Sequence, residues 1–188
     1  MQFPKKYVCL DKNEFNALNY KIVPIRYEDR LDIMKWRNEQ IYHLRQVKPL
    51  TEAAQENYFR TTVFDLFGQQ KPNQILFSYV KNNICIGYGG LVHINWLDKN
   101  AEISFIMNTD LQAEKFQFHW STFIGLIEQL AFNELSFHKI FTYAFDLRPQ
   151  LYNVLEQNNY QKEAVLREHC LIEGKFKDVI IHSKINIS

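Results

Sequence analysis

The chain has 188 residues, about one domain, and its 46% hydrophobic and 23% charged content excludes a disordered polymer. Lys and Arg number 22 against 21 Asp and Glu, a net charge of +1, which argues against a broad nucleic-acid surface and leaves room for a local basic pocket. The 3 cysteines are scattered, the 6 histidines lack metal spacing, and no signal-peptide core or membrane-length apolar run occurs, so no metal is expected and a reducing cytoplasm is the expected home.

Residues 1–19 are polar and mixed and read as an N-terminal extension or irregular strand. Residues 20–26 are short and β-rich, a first strand. Over 28–38, Leu31, Met34 and Trp36 sit among charges, which predicts a short amphipathic helix. Pro49 then breaks the chain, and Thr51 is an N-cap for a helix over 52–64. A polar turn over 68–73 leads to a strand over 74–81. Asn82-Asn83 is a tight turn, since Asn tolerates positive φ, and 84–94 is the partner strand. A turn at 98–100 precedes a strand over 101–107.

The period then changes. Phe123, Ile124, Ile127, Leu130 and Ala131 recur at three and four, which predicts a helix over 119–134. Residues 139–145 form a strand, and Pro149 suits the first position of a helix ending near 157. Segments 160–167 and 176–187 read as a terminal hairpin turning at Glu173-Gly174-Lys175. The order β-α-α-β-β-β-α-β-α-β-β predicts one α/β domain over 1–188, a mixed sheet of about seven strands with helices on both faces.

Several residue groups fit this order: Ile25-Arg-Tyr-Glu-Asp29, Met34-Lys-Trp-Arg-Asn38, Ile86-Gly-Tyr-Gly-Gly90, Ala101-Glu-Ile-Ser-Phe105, Leu130-Ala-Phe132, His138-Lys-Ile140, Glu156-Gln-Asn-Asn-Tyr160 and Glu173-Gly-Lys-Phe-Lys-Asp178. Together they resemble the GNAT superfamily of acyl-CoA-dependent N-acyltransferases, with a likeness to its ribosomal-protein and nucleotide-amino-sugar branch. The resemblance implies direct acetyl transfer from acetyl-CoA, in a ternary complex, to a primary amine. That amine would be a small molecule such as an amino sugar, or a protein N-terminus; the protein would be a monomer or homodimer with no metal, membrane or nucleic acid.

The resemblance implies Glu102 as the general base, since acetyltransferases of this branch often carry a carboxylate on this strand, and alternation puts Glu102 on its more polar face. A local salt bridge is the competing reading of the same residue. Backbone groups of Ile106, Met107 and Asn108 would pair with pantetheine as an added strand. Arg37, Asn38 and Tyr88 are expected at the acceptor. The family's glycine-rich pyrophosphate loop is degenerate, since no glycine lies between Gly90 and Gly125. Gln112 would match its first position, and His119, Trp120 and Ser121 would offer amides of a helix N-terminus. Where the family often has Asn, this chain has Arg148, a candidate phosphate contact. Where it often has a thiolate-protonating Tyr, this chain has Leu155, with Tyr152 one turn earlier. The alternative reading is an inactive binding module whose CoA groove is closed by Phe116, Phe118 and Trp120.

Overall fold

In the computed structural model, which describes residues 2–187, strands β1 (Phe15–Ala17), β2 (Tyr20–Pro24), β3 (Ile75–Lys81), β4 (Ile84–Asn95) and β5 (Asn100–Met107) pair antiparallel in succession. Strand β6 (Lys139–Phe145) joins β5 in parallel, and β8 (Lys175–Ile185) and β7 (Gln161–Ile172) follow it antiparallel. The result is one mixed eight-stranded sheet of order β1-β2-β3-β4-β5-β6-β8-β7.

The sheet has one strand more than the sequence pattern predicts. Strand β1 has three residues, too few to carry an alternation signal, and Leu18 in left-handed geometry (φ 54°) folds it back on β2. The segment before it is also built into the fold. Tyr7 is buried; its hydroxyl donates to the Leu76 carbonyl at 2.8 Å and accepts from the Leu76 amide at 3.1 Å. The Asn82-Asn83 turn forms as expected, with φ values of 49° and 64°.

Helix α1 (Arg30–Glu39) and helix α2 (Glu52–Tyr58) lie on one face. Thr51 caps α2 by accepting from the Ala54 amide. The rod continues through a π-helical turn at Phe59–Val63 into α3 (Phe64–Leu66). Helix α4 (Thr109–Glu128) covers the other face, where Phe123 stacks on Phe105 at 3.9 Å between ring centres. Helix α5 (Pro149–Gln157) packs beside it and begins on Pro149. Among the described residues no helix is long and apolar enough to cross a membrane.

The start of α4 corrects an expectation. The apolar stripe begins near residue 119, but the helix begins at Thr109, with the Asn108 side chain accepting from the Asp110 amide. Lys115 leaves helical geometry (φ −136°, ψ 32°) and divides the helix in two. The first part is polar and carries no apolar periodicity, so the pattern shows only the second.

The cluster Gly87, Gly89 and Gly90 serves the sheet. A Cβ on Gly89 would lie 2.1 Å from the Ser104 carbonyl oxygen and 2.9 Å from the ring of Phe123. The close approach is that of β5 and α4.

Candidate active site

Parallel pairing between β5 and β6 stops early. It links Asn100, Ala101 and Glu102 to Lys139, Ile140 and Phe141, and beyond Glu102 the strands diverge. A cavity of about 280 Å³ fills the gap, bounded by Ile103–Ile106 on one side and Thr142–Phe145 on the other. The aromatic segment does not close it. Trp120 forms part of its wall, edge-on to Phe105 at 5.1 Å, while Phe118 lies away, 46% exposed and against Tyr20.

The backbone of β5 divides its hydrogen bonds between two edges. The Asn108 amide donates to the Ile86 carbonyl on β4 at 2.9 Å. In an antiparallel ladder the edge alternates with each residue. Ile106 and Ser104 therefore also point their amides and carbonyls at β4, whereas Phe105 points both of its groups into the gap, with the Ile103 carbonyl and the Met107 amide on the same edge; the Ile103 amide is used in the last parallel pairing with β6. The Met107 carbonyl accepts from Gln40 Nε2 at 2.7 Å. Of the edge expected at Ile106, Met107 and Asn108, Ile106 and Asn108 are turned to β4, and the Met107 amide stays on the gap side in line with Phe105. Across the gap, buried Thr142 Oγ1 and His43 Nδ1 have no hydrogen-bond partner among the described residues. Polar atoms buried in that state ordinarily meet a ligand or water.

Glu102 lines the cavity, with only 12% of its side chain exposed. Its Oε2 lies 2.7 Å from His93 Nδ1 and its Oε1 lies 3.5 Å from Arg45. Arg45 also sits 4.0 Å over the ring of Tyr143. His93 reaches Glu102 because the β4–β5 register breaks between Val92 and Asn95, and His93 takes φ 49° there. Regular pleating would turn adjacent residues to opposite faces. A carboxylate holding an imidazole can orient it and take up or relay a proton.

On the α1 side, Arg37 Nη1 donates to the Tyr88 hydroxyl at 2.7 Å and its Nε donates to Gln46 Oε1 at 3.0 Å. Both Arg37 and Tyr88 line the cavity. Asn38 does not: its Oδ1 accepts from the Gln46 side chain and the Leu50 amide, and its Nδ2 donates to the Leu50 carbonyl. It braces the loop that holds Arg37.

Arg148 lines the cavity at the start of α5 and lies 3.3 Å from His43 Nε2. Burial lowers the Arg148 pKa to about 10. Burial, and then the charge of Arg148, push His43 down to about 3, so that imidazole is neutral.

Other expected site residues are not brought to the cavity. Tyr152 donates to Asp146 Oδ1 at 2.9 Å, stacks on His182, and has its pKa raised, first by burial. Gln112 lies in the first turns of α4, with its side chain donating to the Tyr42 hydroxyl at 3.3 Å. The break at Lys115 starts the second segment of α4 at Phe116, so His119 falls in its first turn, while Trp120 and Ser121 lie beyond the amides of that N-terminus. His119 is buried 3.1 Å from the Tyr79 hydroxyl, and Ser121 Oγ accepts from Asn158.

Sequence reasoning missed Arg45, His93, His43 and Tyr143. Arg45 lies in a loop without periodicity, and the bulge that redirects His93 has no glycine to mark it. No group of three or more His, Cys, Asp or Glu among the described residues is arranged to hold a metal.

Residues 22–181 match the family model of the acetyltransferase (GNAT) domain. The spermidine N(1)-acetyltransferase of Vibrio cholerae is 28% identical over 94 residues, 50% of this chain and 53% of that protein. The match thus spans about half the length of this curated relative. A solved spermidine N-acetyltransferase from Vibrio cholerae, in complex with CoA and spermine, superposes with a TM-score of 0.78 at 19% identity, over 90% of this chain and 96% of that one. The spermidine/spermine N-acetyltransferase SpeG from the same organism, with manganese ions, gives 0.72 at 20% identity, over 90% and 95%. These likenesses show the fold. The named relatives are spermidine acetyltransferases, so the likeness is to the superfamily and not specifically to the ribosomal-protein or amino-sugar branch.

Proposed function

Because the chain belongs to the GNAT acetyltransferase family, we propose that it transfers an acetyl group from acetyl-CoA to a primary amine on a small molecule. The observation that carries this reading is the open gap beyond Glu102, with the backbone edge of Phe105, flanked by the Ile103 carbonyl and the Met107 amide, facing it. A pantetheine arm is an extended chain of amides, and such an edge pairs with it as a sheet pairs with a strand. Thr142 Oγ1, buried on β6 without a hydrogen-bond partner among the described residues, supplies a further polar contact. Arg148 and Lys115, the latter at the break in α4, supply positive charge for the phosphates.

In this reading the acceptor enters from the α1 face, between Arg37, Tyr88 and Glu102. Its nitrogen must lose a proton to attack the thioester carbon. The Glu102–His93 pair takes that proton. The new C–N bond forms and the C–S bond breaks. The proton held on the pair is then available to the departing thiolate. Tyr152 has no part in the step, because its hydroxyl is committed to Asp146 outside the cavity.

The relatives' names carry spermidine and spermine, which are small primary amines. They support a small acceptor; an amino sugar and a peptide N-terminus complete the set to be compared. Calorimetric titration with acetyl-CoA, followed by free-thiol release with each amine, tests the proposal. Binding and amine-dependent thiol release are expected. Absence of acetyl-CoA affinity down to the millimolar range overturns the reading.

A further inference from the structure

We infer that the acceptor amine carries an anionic group, a carboxylate or a phosphate, which seats against Arg37. This inference rests on the acetyl-transfer reading of the same cavity. Its basis is an imbalance of charge. The guanidinium groups of Arg37, Arg45 and Arg148 line the cavity, and Glu102 is the one carboxylate among the described residues that line it. That carboxylate is already engaged through both oxygens, by Arg45 and by His93.

Arg37 stands out within this group. Among the described residues no carboxylate lies within ion-pair distance of it, and its two hydrogen bonds go to the neutral oxygens of Tyr88 and Gln46. A guanidinium stays protonated at any pH the protein meets. Partly buried and without a counter-ion, it gains most from an anion delivered by a ligand. It is also held in place beforehand. Gln46, which grips Arg37, is gripped by Asn38, and Asn38 holds Leu50 through two further bonds. Pre-set geometry of this kind lowers the ordering cost of binding.

The surrounding space fits the same picture. A second cavity of about 260 Å³, walled by Ile25, Ile33, Leu50 and Phe59, shares Arg37, Tyr58 and Tyr88 with the first. Arg37 therefore stands at the boundary between the two, on the α1 face. Arg148 lies at the start of α5, beside the β5–β6 gap that the thioester arm occupies in this reading. The two arginines serve different ligands. A polycationic acceptor would bring like charge against Arg37, which no carboxylate among the described residues offsets, since Glu102 is paired with Arg45.

The test compares kcat/KM for amines bearing a carboxylate or a phosphate, for their uncharged amide or alcohol analogues, and for spermidine. An anionic amine is expected to exceed its neutral analogue by about 10-fold or more, the scale of a charge-assisted pair. Arg37→Gln is expected to erase that preference through KM for the amine while KM for acetyl-CoA stays in place, and Arg37→Lys to restore part of it. The panel on the unaltered protein decides the matter even where a variant folds poorly. A preference for spermidine or for the neutral analogues overturns the anion site and leaves acetyl transfer standing. A rise in KM for acetyl-CoA in place of the amine overturns it too, by giving Arg37 to the co-substrate. Absence of thiol release with every amine overturns acetyl transfer itself.

Discussion

His93 Nδ1 lies 2.7 Å from Glu102 Oε2, although regular pleating would turn the side chain of His93 to the opposite face of the sheet. The bulge between Val92 and Asn95 and the left-handed φ of His93 make the contact. If the pair accepts the amine proton, Glu102→Gln lowers kcat by about 10²- to 10⁴-fold, the usual worth of a positioned base. His93→Ala lowers it by a smaller factor, since the carboxylate remains. Acetyl-CoA affinity, measured by calorimetry, stays unchanged in both. A Glu102→Gln protein with near wild-type kcat would falsify the assignment.

The contrast between Glu102 and His93 shows where sequence reading stops. Alternation along β5 placed Glu102 on a polar face, and the cavity is there. His93 owes its position to a local register break, which leaves no periodic trace. The sheet was legible for the same reason as Glu102: its hydrophobic runs and the Asn82-Asn83 turn are local signals. The start of α4 was not legible, because its first turns are polar and the kink at Lys115 splits the stripe. The backbone edge at Phe105 depends on ladder phase, which the Asn108–Ile86 bond reveals.

Gly89 supports the site from behind. Its missing side chain lets β5 and Phe123 close on β4, with the Ser104 carbonyl oxygen 2.1 Å from where a Cβ would stand. That oxygen belongs to backbone and cannot swing aside. Gly89→Ala is expected to cost at least about 1–3 kcal/mol, as overpacking does. In a chain of this size that lowers Tm by roughly 2–4 °C for each kcal/mol. Scanning calorimetry reads the shift, and an unchanged Tm would show that β5 can move away.

Asp29 holds the entrance to α1. Arg26 donates to its two oxygens through Nε and Nη2, both at 2.7 Å, and Ser78 Oγ donates at 2.6 Å. Only 6% of its side chain is exposed. The Ile25-Arg-Tyr-Glu-Asp29 motif, read from sequence as a family mark, is therefore a structural clamp between α1 and β3. Asp29→Asn leaves the Arg26 charge with only the longer contact to exposed Glu28 at 3.7 Å. The cost is about 2–4 kcal/mol, below the full penalty of a broken buried pair because Arg26 is partly exposed. Urea unfolding measures it, and a change under about 1 kcal/mol contradicts the clamp.

His43 sets part of the acid limit of stability. Burial, and then Arg148, hold its folded pKa at about 3, against 6.5 in the unfolded chain. The unfolded state therefore binds the proton first. Its stabilising contribution is complete above pH 6.5 and is lost as pH falls from 6.5 toward 3, by at most about 1.4 kcal/mol per pH unit. His119 and His182 are also lowered, each mainly by burial, and add to the same slope. The difference between the wild type and His43→Gln, which cannot be protonated, isolates His43. Denaturant unfolding at pH steps between 6.5 and 4 should show a shallower loss in the variant. Parallel curves would mean that His43 is protonated in the folded state, and that Arg148 does not bear on it as the 3.3 Å contact requires.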